Sequence, residues 1–575
     1  MEAMNQEPAV SSILNRAAPE TDFPQAIRKV ILRDNLLLAA VTLLCLLPFS
    51  GKAFHVDDIF FVSAARQIVQ HPLDPYGFKI VWYTIAMPMA EVTKNPPLAS
   101  YYGALIGVVA GWSERAWHFG FLLPGLALIL GTYRLAGHFT QQPLIAAAGA
   151  LLTPVFMVSA TGVMCDVLML ALWVWAAIFW IDGLDPAKPA YLMTSALLVA
   201  AAALTKYFGA SLILLLLFYA LMRQPRVGSW VWYLSLPVAA LAGYHSWTYA
   251  LYGRGLLADA AVYAHFKPAA QQLPLLQESL IGLSFAGGCV ISALTMAPLL
   301  WPRKQMAIGV LVSALAGLAV AAAWVNLSTH IIHLGPAGIQ LALFVAGGIS
   351  LLALAVSDAW THRDADSLFL TLWVLGTFVF AVYVNWTANG RSILPIIPAA
   401  GILIARRLDT RPKPASPVRL WVPLGVAGVF ALWIACADAG WANSAKRAAE
   451  VIHQKTQTES GTVWFAGHWG FQYYMQANGA RPVDVSNFSS SFRAGDFVVL
   501  PKNNTNLFEI APQFVISQEV IELPMPRRAA TMCPELGAGF YSSVWGPLPF
   551  AIGPVAPERY LILRLGKPPV ADKSL

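Results

Sequence analysis

Charge is what this chain has least of. Only 12% of its 575 residues are Asp, Glu, Lys or Arg, against 57% apolar residues. That balance excludes a water-soluble globule of this length, which needs far more polar surface to cover its core. Cysteine is scarce as well: Cys45, Cys165, Cys289, Cys436 and Cys533 show no CxxC spacing. The first four lie in or beside apolar runs, where a thiol acts as a small hydrophobe, so neither a disulfide framework nor a zinc cage is implied. There is no internal repeat, and no biased segment beyond the Pro/Arg-rich stretch 406–418. The net charge of +7 does not suggest nucleic acid, because its Lys and Arg residues fall in short clusters between apolar runs, as orientation signals do.

What the chain has is long hydrophobic runs. Apolar stretches occur near 35–50, 116–136, 142–162, 165–182, 189–204, 208–222, 230–251, 276–301, 307–326, 337–357, 367–386, 391–405 and 418–437, about thirteen candidate spans, several shorter than the ~20 residues a perpendicular helix needs. The polar N-terminus carries Arg16, Arg28, Lys29 and Arg33, and no small-residue cleavage site clearly follows the first run, which predicts a retained anchor. The segment 96–111 is apolar but short. If it does not span, the loops holding Arg134, Lys188, Arg223/Arg226, Arg303/Lys304, Arg363 and Arg406/Arg407/Arg411/Lys413 all share the side of the basic N-terminus. The segment is therefore expected to be a helix lying in the outer interface.

The same parity brings Asp57, Asp58, Lys94, Asn95, Asp166, Lys206, Arg254, His265, Lys267 and Arg391 to the outer face. Loops are polar in any protein, which suffices for Arg254 or Lys267 alone. Asp57, Asp58, Asp166 and Lys206 instead abut apolar runs, where a charge needs a partner, water or a function. After Asp438 the composition turns to strands and polar residues. A strand is expected over Gly461–Gly467, a short helix over His468–Gln476 and another strand over Asp496–Pro501.

The expected fold class is mainly α: a polytopic helical membrane protein with a small C-terminal α/β extracytoplasmic domain. The expected organisation is a cytoplasmic tail 1–34, a transmembrane domain 35–437 with outer loop 51–115, and a soluble outer domain 438–575.

Read in order, Asp57-Asp58 after the first span, Lys94-Asn95-Pro96-Pro97-Leu98, Ser113-Glu114-Arg115, Val163 to Met169 around Asp166, Leu204-Thr205-Lys206-Tyr207 and Gly390-Arg391 through Pro395 to Pro398 carry a resemblance. Over roughly residues 35–405 the chain resembles the GT-C class of membrane glycosyltransferases, and within it family 39 and its bacterial relatives. These include protein O-mannosyltransferases and enzymes that move aminoarabinose onto lipid A. The resemblance implies a polyprenyl-phosphate-linked sugar donor, a glycan, lipid or protein acceptor, and transfer to a hydroxyl at the extracytoplasmic face of a bacterial inner membrane. Asp57 would be the general base, with inversion at the anomeric carbon. Asp58 would raise the proton affinity of the pair as a like charge, or cap the helix 59–70, or orient the acceptor. Lys206 and Arg391, with Lys94, Asn95 and Lys267, would face the donor phosphate, unless the first two only snorkel to head groups. Asp166 and His265 would orient the acceptor or a cation. Many relatives have Lys or His directly before the prolines, where this chain has Asn95. No cofactor is firmly implied, and a divalent cation bridging the phosphate through His265 and a carboxylate stays open. His330 and His333, one helical turn apart, read as interfacial residues. His468, Trp469, Gln472 and Tyr473 form a polar and aromatic patch of the kind sugars stack on, or simply core. The non-catalytic alternative is a flippase for a lipid-linked saccharide. It is disfavoured because ionisable residues gather at one face and no two-fold pattern is visible.

Overall fold

The computed structural model describes residues 25–567 apart from 185–187, 225, 266–271, 322–333, 413–414, 488–491 and 526. Most of the expected tail 1–34, Lys267, His330 and His333 lie outside the described residues, as does the side chain of His265.

Each of the apolar runs is built on helix in its described part, because in hydrocarbon only a helix satisfies its own backbone groups. Among the described residues six helices are long and apolar enough to cross a membrane: Arg28–Phe49, Glu114–Ala136, Cys165–Leu184, Ala337–His362, Ala365–Val384 and Pro417–Thr456. A seventh results if Pro143–Leu151 and Pro154–Ala160, bent by 63° at their junction, form one span. The remaining runs are shorter or broken, and proline is a recurrent cause because it removes a backbone donor and clashes with the preceding turn. The run 276–301 comprises Leu275–Cys289, Ser292–Thr295 and the proline-containing Ala297–Leu300. The run 391–405 is likewise segmented into Gly390–Ile393, Leu394–Ile396 and Ile397–Asp409.

The segment 96–111 forms a 13-residue helix, Leu98–Ala110. It leaves Leu105, Val108 and Val109 exposed while Gly103 lies against the Trp117 ring. One face of this helix is thus apolar and exposed, and its opposite face packs inward. Just before it the chain makes a hairpin, Lys79–Trp82 with Ile85–Pro88.

The last membrane helix, Pro417–Thr456, runs for 40 residues without a break through Asp438. Beyond it lies a mixed five-stranded sheet in the order Arg481–Pro482, Val463–Phe465, Phe497–Pro501, Glu558–Leu565, Val515–Leu523. The first three strands are parallel and the last two pair antiparallel. The short helix Trp469–Ala477 follows Val463–Phe465 in sequence, and Gly470 sits against the backbone of Phe54, which docks the sheet domain on the loop after the first span.

Candidate active site

The first span ends at Phe49, and residues 50–57 lead into the helix Asp58–Gln70. Val56 is held at φ 46°, a left-handed conformation that a β-branched residue adopts only when its surroundings enforce it. The enforcement comes from Asp58, which is fully buried and accepts the backbone N–H of His55 at 2.8 Å and of Val163 at 3.1 Å. Burial pushes the Asp58 carboxyl up to about 7, against the pull of Lys52 and of those two N–H donors; the neighbouring charge of Asp57 is the smallest contribution. Asp58 thus fixes the turn, and the like-charge effect expected from the sequence is minor beside desolvation.

The same turn leaves Asp57 facing the other way. Its carboxylate is partly exposed and makes no cap to the helix it precedes. Instead Oδ2 meets Nη2 of Arg391 at 3.0 Å. Arg391 is aimed by its own short helix, Gly390–Ile393, whose start is capped by the Asn389 side chain accepting from Ser392 N–H. Its Nη1 lies 2.8 Å from the sulfur of Met164, and its Nε is buried without a partner.

Two residues on from Met164, Asp166 occupies the first turn of Cys165–Leu184, where the helix N-terminus favours a carboxylate. Its Oδ1 binds the Lys206 ammonium directly, and its Oδ2 is buried and unpartnered. Lys206 is placed by the break between Pro189–Thr205 and the 3-10 turn Tyr207–Ala210. Arg391 is also within electrostatic range of Asp166. The chain therefore brings Asp57, Arg391, Asp166 and Lys206, from four distant segments, into one alternating cluster of two carboxylates and two cations. The open valences, Arg391 Nε–H and Asp166 Oδ2, are one donor and one acceptor.

Lys94 is not brought into this cluster; the charged groups acting on it are Asp259, Arg254 and Glu91. Its ammonium donates to the Glu91 carbonyl at 2.6 Å and lies 5.2 Å from the Tyr263 ring centre, and burial holds it below the usual lysine range. Asn95 contributes its backbone carbonyl to the Tyr76 hydroxyl at 2.9 Å. Tyr263, in the helix Leu256–His265, is raised by burial and then by Tyr83 and Asp57, and packs on Trp386 at 5.9 Å. Among the described residues no group of three or more His, Cys, Asp or Glu side chains is placed to hold a metal ion.

Five residues that the sequence reading did not assign to the site lie directly behind it. Lys52 is buried with its Nζ 2.6 Å from Oδ2 of Asp438. Asp438 also accepts from Thr531 Oγ1 at 2.7 Å and from the Tyr541 hydroxyl at 3.2 and 3.1 Å. His55 Nε2 lies 3.8 Å from the same carboxylate, but burial lowers this ring to about 3, so it is a neutral imidazole and Lys52 is the counter-charge. The available signal was a carboxylate inside an otherwise apolar helix. In sequence, Asp438 stands where the composition turns polar, which masks that signal. His468 and Gln472 are nearly fully buried, with the Trp82 ring of the hairpin 4.2 Å from the His468 ring and tilted 33° to it, so these two residues pack between hairpin and sheet domain.

Residues 94–249 match the family described as dolichyl-phosphate-mannose-protein mannosyltransferase, a stretch that includes Lys94, Asp166 and Lys206 and stops short of Arg391. No curated protein matches the sequence. Among solved structures the chain is similar to ArnT from Cupriavidus metallidurans bound to undecaprenyl phosphate, at 15% identity, 81% of this chain, 93% of that chain and a TM-score of 0.40. It is also similar to the archaeal oligosaccharyltransferase AglB from Archaeoglobus fulgidus in complex with an inhibitory peptide and a dolichol-phosphate, at 12% identity, 82% of this chain, 69% of that chain and a TM-score of 0.46. The match over 94–249 agrees in description with the resemblance read from the sequence motifs.

Proposed function

We propose that the chain transfers a single sugar from a polyprenyl-phosphate donor to an acceptor hydroxyl at the outer membrane face, with inversion and with Asp57 as general base. The observation that carries the reading is the 3.0 Å contact between Asp57 and Arg391, beside the Asp166–Lys206 pair. A carboxylate able to take a proton and a guanidinium able to grip a phosphate share one position.

Before the donor arrives, Arg391 is neutralised by Asp57 and Lys206 by Asp166. An incoming phosphate offers each cation a charge-assisted, in the case of Arg a two-pronged, partner. As the guanidinium turns toward phosphate, the Asp57 carboxylate is released to accept the acceptor O–H. The acceptor oxygen then bonds to the anomeric carbon while its proton passes to Asp57. The anomeric C–O bond breaks on the opposite side, and its electron pair leaves with the phosphate, where Arg391 and Lys206 stabilise the added charge.

The test uses purified protein in detergent with a panel of polyprenyl-phosphate sugars, after mass spectrometry of envelope glycans, glycolipids and glycoproteins with and without the gene has named the missing sugar. Asp57→Asn is expected to lose about 10²–10⁴-fold in turnover, the usual scale for a general base, while still binding undecaprenyl phosphate. Near-normal turnover in that variant would remove Asp57 from the role. Absence of any transfer by the wild type, with lipid-linked saccharide still crossing a vesicle membrane, would point to a flippase.

A further inference from the structure

Arg391 is held not only from the membrane side. The segment 538–545 of the sheet domain is stitched to the loop that bears it: Gly390 N–H donates to the Phe540 carbonyl at 2.7 Å, and Ser543 N–H donates to the Ala388 carbonyl at 2.8 Å. The hydroxyl of Thr387 meets those of Ser542 and Ser543 at 3.1 and 2.9 Å. Gly390 is required there, since a Cβ on it would lie 2.5 Å from the Phe540 ring. Between these ties Tyr541 turns its ring face to Arg391, with the guanidinium carbon 5.7 Å from the ring centre. A guanidinium over an aromatic face is attracted by the ring quadrupole, most strongly where water is excluded. The ring cannot drift, because its hydroxyl is locked onto Asp438, itself pinned by Lys52 and Thr531. The hydroxyl stays a donor, since burial and the Asp438 charge raise its pKa well above the ordinary phenol range.

We propose that Tyr541 is a positioning residue supplied by the C-terminal domain, an Asp438-anchored platform that sets where the Arg391 guanidinium stands and so how the donor phosphate is met. This rests on the reading of Arg391 as a phosphate ligand for its functional consequence, and on geometry alone for the platform itself. The sheet domain is then part of the transferase centre and not an appendage to it.

The test is a double-substitution cycle of Tyr541→Leu with Arg391→Lys in the full-length protein. It has two readouts: the ligand-free thermal midpoint in detergent, and affinity for undecaprenyl phosphate as the probe. Leucine keeps an apolar side chain but removes the ring face and hydroxyl. Tyr541→Leu is expected to weaken undecaprenyl phosphate binding about tenfold, the scale of a desolvated cation–aromatic contact. On the Arg391→Lys background the same change should cost at most about twofold, and the midpoints should be non-additive in the same sense. Tyr541→Phe, which drops only the hydroxyl, is expected to show a smaller, equally coupled loss and carries the cycle if the leucine variant does not fold. Additive losses in both readouts, or unchanged binding in Tyr541→Leu, would overturn the platform. Coupled midpoints with binding unaffected by Arg391→Lys would support the platform and remove the donor-phosphate reading.

Discussion

Asp58 meets two opposing demands: two backbone N–H donors favour its charged form, and complete burial favours its neutral one. Burial dominates and the carboxyl rises from 3.8 to about 7. The folded protein therefore keeps a proton there that an unfolded Asp has already lost, and this residue's contribution to stability falls as pH rises from about 4 to about 7. His55, lowered from 6.5 to about 3, has the reverse sign: its contribution falls as pH drops through that range. The two slopes partly cancel in the wild type, so the informative quantity is a difference. Asp58→Asn is expected to cost about 1–3 kcal/mol through one lost hydrogen bond, because its amide N–H₂ must face a backbone N–H. The gap in thermal midpoint between variant and wild type should narrow as pH rises from 4 to 7; a gap that widens would show that Asp58 is ionised in the fold. That the doublet 57–58 mattered was legible, since charge at a membrane boundary is costly. How the two divide their work was not, because the split depends on a backbone donor at Val163, brought in by a separate helix. Tyr541 lies among glycines and serines that carry no signal of their own, and only the fold places it at Arg391.

Helices were legible from hydropathy, yet the way they meet was not. The run 418–437 was expected to end where polar residues begin, but the stretch Ser444 to Lys455 is rich in strong helix formers and continues the same helix to Thr456. The pairing of Leu275–Cys289 with Leu334–His362 depends on Gly287, Gly347 and Gly348, which let the two backbones touch. A Cβ at Gly287 would clash with the Phe344 carbonyl oxygen, and one at Gly348 with the Leu283 carbonyl oxygen. Small residues at a crossing are the usual means of close approach where lipid gives no hydrophobic drive to associate. Gly287→Val is expected to push these helices apart, at a cost of about 1–3 kcal/mol or more from overpacking. The signs would be a lower thermal midpoint and a loss of the monodisperse peak in size-exclusion chromatography. Gly243, whose Cβ would meet nothing within 4 Å, provides the control: Gly243→Ala should leave both measurements unchanged.

At the scale of the whole molecule, the Lys52–Asp438 pair ties the loop after the first span to the last apolar helix and, through Thr531 and Tyr541, to the sheet domain. Breaking a buried pair from one side leaves an uncompensated charge, so Lys52→Met should destabilise by about 3–5 kcal/mol, seen as a large fall in thermal midpoint. Lys52→Met with Asp438→Asn should recover part of that loss, since the second change removes the stranded charge. The same architecture sets an orientation. Asp166 and Asp182 stand at the two ends of one helix, separated by about 24 Å at 1.5 Å per residue, which approaches the thickness of a bilayer core. Asp166 belongs to the cluster with Lys206, Arg391 and Asp57, whereas Asp182 pairs with Arg134 at 3.4 Å. Arg223, at the far end of the next-but-one helix, pairs with Asp366, and Arg406 with Asp358. The arginine-rich end, by the excess of positive charge on cytoplasmic loops, is expected to be the inner one, which puts the carboxylate cluster and the sheet domain outside. Single cysteines at the exposed Ser486 of the sheet domain and at the exposed Ser229, between helices of the basic end, separate the two faces. A membrane-impermeant maleimide added to intact spheroplasts should label Ser486→Cys and spare Ser229→Cys until the membrane is permeabilised. Labelling in the reverse pattern would place the carboxylate cluster in the cytoplasm, where a donor and acceptor meeting at the outer face could never reach it.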